Sequence, residues 1–143
     1  MRGYAAIGLD RPKDKANLGG VLRAAGCYGA SMVAVSGDRM GKFATDTMKA
    51  WKHMPCIEVD DLLAAKPFGC VPVVIEITPR ARSLFTFVHP ENAFYIFGPE
   101  DGSVSQRIVD AAQMVVAVPT NRCMNLAATV NVVLYDRAAK AAR

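Results

Sequence analysis

The chain has 143 residues, 52% of them hydrophobic and 21% charged, with a formal net charge of +4 and an isoelectric point near 9.0. That length suits a single domain spanning residues 1–143, with a real core and no room for separate catalytic and recognition modules, and the apolar content excludes a disordered chain. The positive balance leans toward an anionic partner such as nucleic acid.

The opening residues, MRGYAAIGLD, lack the apolar stretch of a secretory signal, and no window approaches the ~18 apolar residues a membrane span needs. The expected compartment is the cytoplasm, with Cys27, Cys56, Cys70 and Cys123 reduced. These cysteines show no CxxC spacing, and neither His53 nor His89 stands at a ligand-like interval from them, so no metal site is expected.

In chain order, short β-branched or apolar runs predict strands at Tyr4 to Leu9, Met32 to Val35, Cys56 to Val59, Val71 to Ile77, Phe94 to Phe97 and Met114 to Val118. Helical spacing intervenes. NLGGVLRAAGCYGA places Leu18, Val21, Leu22 and Ala25 on one face and ends at Gly29, with Asn17 as the expected N-cap. VSQRIVDAAQ groups Val104, Ile108, Val109 and Ala112, with Ser103 and Gln106 resembling a capping box. A final helix from Leu126 stacks Leu126, Val130, Val133 and Leu134, and its basic end, Arg137, Lys140 and Arg143, suits the negative pole of the helix dipole. Continuous apolar strands alternating with amphipathic helices predict an α/β fold, a parallel sheet covered on both faces.

Such sheets bind ligands in the loops beyond the carboxyl ends of their strands. Three loops stand out. The first, DRPKDKANLGG, carries Arg11, Lys13 and Lys15 ahead of Asn17, with Arg23 six residues further on. The second, FGPEDGSVS, bends on Gly98 and Gly102 around Glu100, an acid suited equally to bracing turn amides and to lining a pocket. The third runs VPTNRCMNLAATVNVVLYDR, in which Pro119 forces a turn and Asn125 can cap the last helix. Neither GxGxxG nor GxxxxGK[ST] occurs, which argues against a dinucleotide or Walker-type phosphate site.

From Tyr4 to Arg137 the three segments together resemble the signature motifs of the SpoU (TrmH-like) branch of the SPOUT methyltransferases. Asn17 and Arg23 match the first motif. Gly98, Glu100 and Gly102 match the second with slightly shorter glycine spacing, and Cys123 with Asn125 matches the third, a thiol standing where a serine hydroxyl is usual. The resemblance implies a Rossmann-like parallel sheet with a C-terminal deep trefoil knot, S-adenosylmethionine bound against that knot, and a homodimer that methylates the ribose 2'-hydroxyl of tRNA or rRNA. Methylation of an RNA base atom and a non-catalytic binding homologue are the alternatives.

The resemblance also assigns residues. Glu76, Gly98, Gly102, Val118, Cys123 and Leu126 would hold the cofactor, while Asn17, Arg23, Glu100 and Asn125 would serve catalysis. For Arg23 two roles stand: a base for the hydroxyl proton or, favoured by the permanent charge of a guanidinium, a group that grips phosphate and orients the hydroxyl. RNA phosphates would be met by Arg11, Lys13 and Lys15 and by Arg39, Lys42, Lys49 and Lys52 around Trp51. A solvated helix face with Trp51 in the core would show the same second cluster.

Overall fold

A computed structural model describes residues 2–40 and 54–143. Among them, strands β1 (Tyr4–Leu9), β2 (Val33–Ser36), β3 (Cys56–Val59), β4 (Val71–Ile75), β5 (Arg82–Ser83), β6 (Asn92–Phe97) and β7 (Met114–Ala117) form one sheet in the order β3-β2-β1-β6-β4-β7-β5, every pairing parallel. Three α-helices among the described residues accompany it: α1 (Lys15–Cys27), α2 (Gln106–Ala111) and α3 (Leu126–Ala141). The sequence reading finds six of the strands to within two residues and misses β5, whose two residues are too few for any pattern. The segment joining β4 to β5 crosses β7, which lies between them.

Strand alternation splits the core in two. Ile7 and Leu9 of β1, Tyr95 and Phe97 of β6 and Val73 of β4 face α1 and α3, where Leu18, Val21, Leu22, Val130, Val133 and Leu134 are buried. Ala6, Phe94, Ile96, Val74 and Val115 point the other way, against Ile108 and Val109 of α2 and against Leu62. β6 is central and buried from Ala93 to Phe97, as a parallel strand covered on both faces should be. Close approach of α1 to α3 depends on Gly20, where a Cβ would lie 2.7 Å from that of Ala127.

Two caps differ from expectation. Asp14, not Asn17, caps α1: its carboxylate accepts from the Ala16 amide at 2.8 Å, so the helix begins before Asn17 and places that residue in its first turn. α2 begins at Gln106 with no side-chain cap, because Ser105 is hydrogen-bonded to Asp10 instead, and no Ser103 to Gln106 capping box forms.

At the basic end of α3, Lys140 lies in the last turn as expected and Arg143 is exposed, but Arg137 and Lys140 are tied into the fold rather than solvated. Arg137 is buried and donates to Pro90 O at 2.7 Å, Glu91 O at 2.6 Å and Tyr95 Oη at 3.1 Å. Lys140 donates to Phe87 O and pairs with Asp136 at 2.7 Å. Within this network His89 bonds Tyr95 Oη through Nδ1 and Asp136 through Nε2, both at 2.7 Å.

Burial pushes the His89 pKa below its usual 6.5, against the opposing pull of Asp136 and with help from the positive charges of Lys140 and Arg137. An unfolded chain therefore takes up a proton near pH 6.5 that the folded chain still refuses, so stability is full above that pH and falls as pH drops through the folded value. Thermal melts between pH 7.5 and about 5 should show this loss, and His89→Gln should flatten the slope in that window.

Candidate functional site

At the carboxyl edge of the sheet the loops after β1, β4, β6 and β7 converge. Their meeting point is a chain of hydrogen bonds. Glu100 accepts from the Lys13 amide at 3.0 Å through Oε1, and from the Asp14 amide at 2.8 Å and Asn17 Nδ2 at 3.3 Å through Oε2. Asn17 Oδ1 accepts from Asn125 Nδ2 at 2.7 Å, and Asn125 Oδ1 caps α3 by accepting from the Ala128 amide at 3.1 Å. Each amide orientation is fixed by the next partner, since a carboxylate and a helix N-terminus demand opposite ends of an amide. Glu100 therefore braces the entry to α1 rather than its own bend, and residues 83 and 108 positions apart from Asn17 in sequence are joined through it.

Beside this chain lies a cavity of about 190 Å3 whose walls include Ile75, Glu76, Gly98, Val118, Cys123 and Leu126. Gly102 and Glu100 also border it, so all six residues assigned to the cofactor share one pocket with Glu100. The amides of Thr120, Cys123 and Met124, residues that border it, meet no backbone carbonyl among the described residues. Cys123 is exposed there as a free thiol. A larger groove of about 670 Å3 at the opposite edge, lined by Phe85, Val88, Arg137 and Lys140 among others, contains none of the assigned site residues.

The two glycines of the bend are not equivalent. A Cβ on Gly98 would lie 2.7 Å from the Val104 nitrogen and 3.0 Å from the Ser103 carbonyl carbon, both backbone atoms. On Gly102 the nearest neighbour would be Pro99 Cγ at 3.6 Å, an ordinary contact. Gly98 is thus required by the fold of its own bend, whereas Gly102 is not sterically forced.

Arg23 is exposed and does not line the cavity. Six residues along a helix carry a side chain about 9 Å onward and roughly 120° around the axis from Asn17. The cations assigned to RNA divide into three groups. Lys13 and Lys15 are exposed at the mouth of α1. Arg11 and Arg39 are tied into the bend: Arg11 donates to Ser103 O at 2.9 Å, and Arg39 pairs with Asp101 at 2.6 Å, holding that carboxyl below the usual carboxylate range. Lys42, Lys49 and Lys52, with Trp51, lie outside the described residues.

A model of the SpoU rRNA Methylase family matches residues 4–135. The chain belongs to this family. The tRNA modifying enzyme TrmH/SpoU of A. aeolicus superposes with a TM-score of 0.82 at 17% identity, over 99% of this chain and 79% of its own. A structure described as giving insight into the 2-OH methylation of C/U34 on tRNA has a TM-score of 0.80 at 22% identity, with 98% and 97% covered. The SpoU methyltransferase AviRb from Streptomyces viridochromogenes, in complex with AdoMet, has a TM-score of 0.81 at 17% identity, and this chain covers only 62% of its length while 99% of this chain is matched. At such identities the likeness establishes the SpoU fold. No curated protein matches in sequence.

Sequence reading gives no role to Asp10, Ser36 or Ser105, which the structure places directly behind the bend; an acid ending an apolar strand was the available signal. The glycine geometry sets a direct test. Gly98→Ala should destabilise the SpoU domain by about 1–3 kcal/mol in chemical denaturation through forced overpacking, and Gly102→Ala should stay within about 0.5 kcal/mol of wild type.

Proposed function

We propose that this SpoU protein transfers a methyl group from S-adenosylmethionine to a ribose 2'-hydroxyl of tRNA or rRNA, and that it works as a homodimer. One observation carries the reading: the Glu100–Asn17–Asn125 chain joins the three motif loops at the mouth of a cavity lined by the residues assigned to the cofactor. The crossing of β7 by residues 76–81 supports the threaded C-terminal knot of the family's fold.

The cavity suits the cofactor in its chemistry. Ile75, Val118 and Leu126 offer apolar walls to a purine, and the amides of Thr120, Cys123 and Met124, which meet no backbone carbonyl among the described residues, offer donors to ribose and carboxylate oxygens. Bound S-adenosylmethionine supplies a methyl group activated on a sulfonium. The protein's share is positioning, the largest single source of acceleration open to a transfer between two bound partners.

Within that task the roles separate. Glu100 already accepts three N–H donors, and Asn17 and Asn125 are committed to one another, so these residues fix the motif loops in register and need hold no substrate proton. Arg23 has no hydrogen-bond partner among the described residues and presents its planar fork to solvent, which suits a phosphate and an adjacent hydroxyl. Its place outside the lining of its own chain's cavity fits a dimer in which Arg23 serves the neighbouring pocket. Half-exposed Val132 and exposed Tyr135 on α3, the latter edge-on to Tyr28 beside α1, supply an apolar face for that contact.

Arg23→Ala should abolish methyl transfer while cofactor affinity by calorimetry, with a chelator present, stays near wild type; Arg23→Lys should restore little, because the ammonium lacks the fork. Mixing Arg23→Ala with a Gly98→Val chain should recover activity in heterodimers if the arginine acts across the interface, and sedimentation should show a dimer at micromolar concentration. The modified nucleotide should resist alkaline cleavage on its 3' side. A product still cleaved there would mean base methylation, and no binding at millimolar S-adenosylmethionine would remove the methyltransferase reading.

A further inference from the structure

We propose that Asp10 is a positioning residue for cofactor binding: with Glu76 it clamps the Ser103–Ser105 backbone from the two sides of β6 and so sets the shape of the cofactor cavity without touching it. The proposal rests on the cofactor reading of that cavity.

The register of the sheet makes the clamp symmetric. Phe97, the last residue of β6, pairs with Leu9 of β1 on one side and Ile75 of β4 on the other. The next residue on each flanking strand is an acid, Asp10 or Glu76, and the next on β6 is Gly98. Both carboxylates therefore stand at the level where the chain bends, and both reach the same returning segment. Glu76 Oε2 accepts from the Val104 amide at 2.9 Å. Asp10 Oδ2 accepts from the Ser105 amide at 2.8 Å and from Ser105 Oγ at 2.7 Å. Between these bonds the 103–104 backbone is pressed onto the bare face of Gly98.

Asp10 is anchored for this task. It is 3% exposed, and its amide donates to Phe97 O at 2.9 Å. Oδ1 accepts from Ser36 Oγ at 3.3 Å and lies 3.5 Å from Arg11 Nε. The following residue, Arg11, holds a left-handed backbone at φ 52, unusual for a side-chain-bearing residue; its amide donates to Ser36 Oγ at 3.2 Å, and its guanidinium closes the loop by donating to Ser103 O. Gly37, at φ 83, passes so near that a Cβ there would be 3.1 Å from Arg11 Cα. A strained backbone and a buried acid are thus fixed by β2 and spent on one segment, the bend that walls the pocket. Glu76 borders the cavity; Asp10 does not.

Asp10→Asn keeps one oxygen for Ser105 but gives up the ion pair with Arg11, and Asp10→Ala gives up both. Calorimetry with S-adenosylmethionine should show Kd raised on the order of tenfold for Asp10→Asn and further for Asp10→Ala, a change carried by Kd rather than by kcat at saturating cofactor. Ser105→Ala should shift Kd in the same direction and add little on top of Asp10→Ala, as expected of two groups in one bond. Hydrogen exchange should quicken across residues 98–105 in Asp10→Asn while the amides of β1 and β6 remain protected. Wild-type Kd with unchanged exchange in Asp10→Asn would overturn the proposal, as would a fall in kcat at saturation without a change in Kd. Should Asp10→Ala fail to fold, Asp10→Asn and Ser105→Ala decide. A wild-type chain that binds no S-adenosylmethionine overturns the role in cofactor binding, and quickened exchange in Asp10→Asn would then show that the cofactor reading failed and not the clamp.

Discussion

The packing of the Ser103–Val104 backbone onto Gly98 is the contact on which the carboxyl edge of the sheet depends. β6 is the central strand, buried on both faces, so its direction is fixed by two cores at once. Where it ends, the chain must turn within a few residues to reach α2 on one face. At Gly98 that return lies flat against the strand end, where a Cβ would meet the Val104 nitrogen at 2.7 Å, and Gly98 also borders the pocket. Glu100, two residues on, then reaches the amides of Lys13 and Asp14, which ties the position of α1 to that of the bend.

The polar chain through Glu100, Asn17 and Asn125 is partly open to water, and a hydrogen bond in such a setting contributes only about 0.5–1.5 kcal/mol to stability. Its value is geometric. α1 and α3 already pack through Gly20 and Ala127, and apolar packing tolerates small sliding motions that a run of directed bonds does not. Burial sets which helices meet. The amide chain sets where along their axes they meet, and hence where the 118–125 segment and the mouth of α1 stand relative to the bend.

The sheet was legible because a parallel strand covered on both faces is written as a continuous apolar run, and the two helical faces because burial repeats with the helix. What could not be read was the choice among chemically similar neighbours. Asp14 and Asn17 are both good caps three residues apart, and only the backbone path shows that the helix has begun by Lys15. Ser103 and Gln106 have capping spacing, yet Asp10, 95 positions from Ser105, claims the neighbouring hydroxyl first. Gly98 and Gly102 look alike until the returning chain is placed against one of them. Arg137 has the sequence position of a dipole partner, but burial beside Tyr95 and the carbonyls of Pro90 and Glu91 makes it a structural strut.

The motif residues were found together by resemblance, and the geometry divides them in a way the motif itself does not. Glu100, Asn17 and Asn125 spend their hydrogen-bonding capacity on each other and on helix ends, while Arg23 makes no hydrogen bond among the described residues. An acid that accepts three N–H donors is a poor candidate to take up a substrate proton, since protonation would put a hydrogen where donors already point. A guanidinium that stays charged is equally unsuited to that task. The groups best placed around the site are therefore those that orient and those that carry charge, and the design is one in which the rate would come from holding two partners in line, with the backbone contact at Gly98 serving as the reference point for that alignment.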